Sequence, residues 1–134
     1  FWHEGLPEDS LMNPGGACNQ CHQTEIDQGE APPLFTFAGT VYPTAHEPDD
    51  CNAPTWIGAQ VEVTDALGTV ILVDVGPTGN FEYSTPGGFT YPYTARVLYE
   101  GRERRMYVAA DHGDCNLCHM QNGNVDTPGR ILLP

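Results

Sequence analysis

Short runs of alternating apolar and polar residues fill the middle of the chain, and glycine- or proline-bearing turns separate them. Residues 35–42 read as a strand, and Ala59-Gln60-Val61-Glu62-Val63 alternates with a period of two. Asp65-Ala66-Leu67-Gly68 reads as a turn into a strand over 69–75. Gly76-Pro77-Thr78-Gly79 turns again into Asn80-Phe81-Glu82-Tyr83. Strands over 93–99 and 104–109 then flank Glu100-Gly101-Arg102 as a hairpin. Six short strands with turns at this spacing predict a mainly β fold, a Greek-key or Ig-like antiparallel sandwich.

The two ends lack this alternation. Residues 1–34 are rich in Pro, Gly and acids and predict loops with one short turn of helix. Residues 111–134 are polar and Gly-rich up to a short apolar end, Ile131-Leu132-Leu133. We therefore expect one compact domain of three parts, 1–34, 35–110 and 111–134. No run is apolar for long enough to span a bilayer.

Each end carries a Cys-x-x-Cys-His pentapeptide, Cys18-Asn19-Gln20-Cys21-His22 and Cys115-Asn116-Leu117-Cys118-His119. This is the pattern of covalent c-type haem attachment, with two thiols adding to the porphyrin vinyl groups and the adjacent histidine binding the iron. Two copies take four of the five cysteines, which makes coincidence a poor account. The competing readings are a four-cysteine zinc site and a thioredoxin-like dithiol. Zinc knuckles normally lie close together and give no reason for a histidine after each pair. A redox dithiol would accompany a βαβ pattern, which the sequence lacks. The expected cofactors are two haem c groups.

The formal charge is −13, with no lysine and with Arg96, Arg102, Arg104, Arg105 and Arg130 as the only fixed cations. Nucleic acid and anionic membrane surfaces are therefore poor partners. Basic redox donors and acceptors, metal ions and oxide minerals fit better. The sequence starts at Phe1 without methionine, and covalent haem attachment occurs outside the cytoplasm, so the expected location is periplasmic or extracellular.

The stretches Ala38-Gly39-Thr40-Val41, Val61-Glu62-Val63-Thr64-Asp65, Gly79-Asn80-Phe81 and Ala95-Arg96-Val97 resemble the carboxypeptidase-regulatory-like β-sandwich. The ends resemble small exported dihaem cytochromes c, some of which carry such a sandwich between their haem motifs. That resemblance implies electron transfer and no catalytic residues.

The sixth iron ligand decides what such haems do. Beyond His22 and His119, the chain has His3, His46 and His112, and the methionines Met12, Met106 and Met120. Two further histidines would make both irons bis-histidine, closed to small ligands and lower in potential than a His/Met pair. His112, three residues before Cys115, is expected to reach a second haem more easily than the far face of its own. His46 lies in a long loop that a compact sandwich does not need. His3 sits in an amino-terminal arm that either frays or docks on a neighbour. Met106 alternates with Val108 and reads as core, Met120 points away from its own iron, and Met12 stays a weaker candidate. Arg130 reads either as a propionate partner or as a solvated tail residue.

An even number of strands returns the chain to its starting end, so both motifs should emerge at one end of the sandwich, unless a seventh strand in the tail or the long loop changes the count. The first strand then carries His46 away from them, unless the loop doubles back or His46 serves another subunit. Ligation in trans resembles the extracellular multihaem cytochrome filaments. A polymerising filament subunit and a monomeric shuttle are thus both expected forms. Cys51 either forms an intermolecular disulfide or is an inert buried thiol. Two other classes remain: a dihaem peroxidase, which needs an open iron position, and a surface-binding module, for which Phe89, Tyr91 and Tyr93 are the nearest candidate face.

Overall fold

The computed structural model describes residues 14–48, 58–124 and 127–134. His3, Met12 and Cys51 lie outside the described residues. The remainder is mainly β. The strands are β1 (Phe37–Tyr42), β2 (Gln60–Thr64), β3 (Val70–Asp74), β4 (Asn80–Tyr83), β5 (Thr94–Tyr99), β6 (Arg102–Arg105) and β7 (Ile131–Leu132). Helix α1 (Cys18–Asp27) precedes β1, and the single turn α2 (Cys115–Cys118) lies between β6 and β7. One sheet has the order β4-β1-β7 and the other β3-β2-β5-β6. All neighbouring strands are antiparallel except β1 and β7.

The period-two pattern has its physical counterpart in β2, where Val61 and Val63 point inward while Gln60, Glu62 and Thr64 are half-exposed. They meet Val97 of β5, Phe37 and Val41 of β1, and Phe81 of β4, so both sheets close on one core. Ring pairs extend it. Phe37 stacks on Tyr83 at 5.2 Å, and Phe89 meets Tyr91 and Tyr93 at 5.0 and 5.6 Å. The aromatics of the 89–93 loop thus pack on one another and on Phe37.

Two boundaries differ from expectation. Strand β6 starts at Arg102 and ends at Arg105, because the hairpin closes in two residues. Glu100 and Gly101 have φ of 50° and 75°, the left-handed conformations of a type I′ turn. Val108 is consequently outside the strand and 67% exposed, while Met106 packs against the core. The first motif lies on a helix of ten residues rather than one turn, for a reason that lies far along the chain.

Strand β1 organises the molecule. All six of its residues are buried. Its inner face meets the opposite sheet through Phe37 and Val41. One edge pairs with β4, and both pentapeptides pack around what remains. A methyl group on Gly39 would lie 2.9 Å from Cβ of Cys115, so only glycine lets the second motif approach this closely.

Candidate functional site

The second motif completes the free edge of β1. Ala38 N–H donates to the Gly113 carbonyl at 2.8 Å, and Ala38 and Asp114 form a parallel bridge. Two residues on, Thr40 N–H donates to Oδ1 of Asn116 at 3.0 Å. Nδ2 of Asn116 then donates to the Gly16 carbonyl at 2.9 Å and to the Thr40 hydroxyl at 3.0 Å. Further along, β7 pairs with Val41 and Tyr42. The motif therefore runs beside β1 in the same direction rather than sitting at one end of the sheets.

Asn19 holds the first motif in a related way. Its side-chain amide donates to the Phe35 carbonyl at 2.9 Å and accepts from Phe35 N–H at 2.8 Å. Both pentapeptides thus use the residue after their first cysteine to grip the backbone entering or forming β1. Sequence reasoning assigned no role to Asn19 or Asn116. The visible signal was their recurrence, Cys-Asn-x-Cys-His twice.

The two motifs meet. Gln20 N–H in the first turn of α1 donates to Oδ2 of Asp114 at 2.9 Å, and Asn116 reaches Gly16. Six strands precede α2, and the two motifs come together, but beside β1 rather than at one end of the sandwich as the strand count predicts. A seventh strand, β7, does lie in the tail, but it follows the second motif, so it does not alter the count of strands between the motifs.

Each motif histidine is oriented by a backbone carbonyl. His22 Nδ1 is 2.5 Å from the Pro33 carbonyl, and its ring lies 5.4 Å from that of Phe35. His119 Nδ1 is 3.0 Å from the Gly129 carbonyl. A carbonyl has no proton to give, so each imidazole donates from Nδ1, and the neutral form of such a ring has its lone pair on Nε2. That is the tautomer a metal ligand needs. Burial lowers the His119 pKa and outweighs the Gly129 carbonyl, which acts to raise it, so the neutral ring is favoured.

His46 shows the same arrangement, with Nδ1 2.7 Å from the Gln121 carbonyl. The ring is exposed and lies beside the loop that follows the second motif. The conflict between strand direction and His46 disappears, because that motif extends along β1 to where His46 lies. His112 sits against its own motif, Nε2 3.8 Å from Sγ of Cys118, and its buried Nδ1 has no partner among the described residues.

Arg130 corrects an expectation. It is no solvated tail residue, being only 4% exposed. Its guanidinium donates to the carbonyls of Glu47, Gly15 and His119 at 2.8, 3.2 and 3.4 Å. It also lies 4.8 Å over the Tyr42 ring. One side chain thereby ties the His46 loop, the segment entering the first motif and the second motif histidine together.

The thiols are free, and burial is the main cause that raises Cys18 to about 12 and Cys115 to about 11. An attacking redox thiol needs the opposite shift. Among the described residues no three His, Cys, Asp or Glu side chains converge as a metal-binding group. Among the described residues no helix is long and apolar enough to cross a membrane. Comparison with family models, curated proteins and solved structures finds no match for this chain.

Proposed function

We propose that the chain carries two haem c groups and transfers electrons outside the cytoplasm. One would be attached through Cys18 and Cys21 with His22 on the iron, the other through Cys115 and Cys118 with His119 on the iron. The observation that carries this reading is the shared tautomer, each motif histidine donating Nδ1–H to a carbonyl and leaving Nε2 for a metal. Raised thiol pKa values at Cys18 and Cys115 speak against a redox dithiol. When bound, the haems supply one-electron redox chemistry. The residues of the chain fix the spacing of the attachment points on β1, orient the rings and cover one side of each motif. No enzymatic step is assigned.

We read the two sheets as an Ig-like sandwich between haem-binding segments. His46 and His112 are the proposed distal ligands. His46 has an oriented ring with Nε2 unspent, and His112 has an orphaned buried nitrogen. His3, outside the described residues, is a third candidate, in cis or in trans. An exposed His46 suits donation to a neighbouring subunit as well, which would make the chain a unit of a conductive filament rather than a monomeric shuttle. The acidic surface suits basic redox proteins, metal ions and oxide minerals.

The test is production of the chain with c-type haem maturation, followed by intact mass and the pyridine haemochrome spectrum. The expected result is a mass increase of two haems, falling to one in C18A/C21A and in C115A/C118A. Protein that matures without covalent haem, or holds zinc instead, overturns the reading. Sedimentation velocity at the Soret band then separates filament from shuttle.

A further inference from the structure

Helix α1 has no cap of its own. Ala17 precedes its first residue, no side chain nearby caps it, and its first-turn amides are the orphan donors of any helix start. The missing acceptor comes from 94 residues away, where Oδ2 of Asp114 receives Gln20 N–H at 2.9 Å. The amides of Cys18 and Asn19 also act on this carboxylate. Asp114 is 6% exposed, is bridged to Ala38 of β1 and directly precedes Cys115. It stands between the first cysteine of one motif and the first cysteine of the other. Burial first and then its charge push the Cys18 thiol up, and at Cys115 that charge adds to burial against the lowering hydrogen bond from Tyr93.

A neutral acceptor would serve as a helix cap, since asparagine caps as well as aspartate does. The chain instead keeps a carboxylate where desolvation opposes its charge. A fixed negative charge in a poorly screened site favours the more positive state of any neighbouring redox group. We propose that Asp114 is a shared tuning residue, capping the first motif's helix while its charge holds down the reduction potentials of both haem sites. This rests on the haem reading above.

The experiment is spectroelectrochemical titration of the matured wild-type protein and of Asp114→Asn, which keeps an acceptor oxygen and removes the charge. Both midpoint potentials should rise in the variant. At a fixed ambient potential the reduced-to-oxidised ratio of each haem should increase about threefold or more. Haem stoichiometry and the far-ultraviolet circular dichroism should both stay at wild-type level, so that a shift in potential does not reflect a loss of structure. Asp114→Ser, a second neutral capping side chain, gives the same readout if the amide variant does not fold. Asp114→Ala should raise the potentials and also lower the melting temperature of the matured protein. Unchanged potentials in the neutral variants overturn the proposal, and so does movement of one potential alone, since the residue would not then be shared. A wild-type protein without covalent haem would show the separate failure of the haem reading before any potential is measured.

Discussion

Replacing Asn116 by alanine should be the most damaging single change in either pentapeptide outside its cysteines and histidine. Asn116 is 2% exposed and makes three hydrogen bonds, one accepted from Thr40 N–H and two donated. Alanine leaves the Thr40 amide without an acceptor on a residue that is 1% exposed. An unsatisfied buried group costs about 1–3 kcal/mol, and each of the other two bonds contributes about 1 kcal/mol. The sum is about 4 kcal/mol, a large part of the roughly 5–15 kcal/mol that holds a domain together. Unfolding entropy is about 2.1 cal/mol/K per residue. For 134 residues this is about 0.28 kcal/mol/K, so the melting temperature should fall by about 14 °C. Calorimetry of the purified protein checks this. Asn19→Ala is the internal comparison. Asn19 is half-buried and makes two bonds to Phe35, so the loss should be about 2 kcal/mol. A cost below about 1 kcal/mol for Asn116→Ala would refute the reasoning that this amide closes the edge of β1.

A Cβ on Gly113 would lie 1.8 Å from the Thr36 carbonyl oxygen, so Gly113→Ala should cost more than about 2 kcal/mol in urea unfolding. Gly68→Ala, with open space but a φ of 85°, should cost only about 1 kcal/mol. Burial acts to raise the Asp65 pKa, yet the amides of Thr69, Thr90 and Leu67 hold it below the usual carboxylate value. Its contribution is therefore present above the unfolded carboxylate pKa and is lost as pH falls through the folded one. Urea midpoints between pH 6 and pH 2 should fall less steeply in Asp65→Asn, and identical acid limbs would count against this assignment. In the haem-free chain at pH 8, Cys21 should alkylate well before Cys18 and Cys115, which are raised to about 12 and about 11. Fast modification of Cys18 would restore the redox-dithiol reading.

The strands were legible because alternation and turn residues are local properties. Val61 and Val63 have to face one way, and Glu100-Gly101 has to reverse the chain, wherever the rest of the molecule lies. Even so, β6 is offset from its expected span, because a two-residue turn closes earlier than a three-residue loop. The length of α1 was not legible. Its sequence carries no apolar stripe, His22 is its one buried residue, and Ala17 offers no cap.

By itself the sequence determined the two Cys-x-x-Cys-His pentapeptides, the strongly acidic surface and the run of short strands. Each of these depends on neighbours within a few positions. Tertiary structure alone decided that the motifs meet on β1, that Asp114 caps a helix 94 residues away and that Arg130 is buried among three carbonyls. It also decided that His46 lies beside the second motif. These follow from hydrogen-bond donors and acceptors that must be satisfied once buried, and which groups are buried together is settled only when the sheets close.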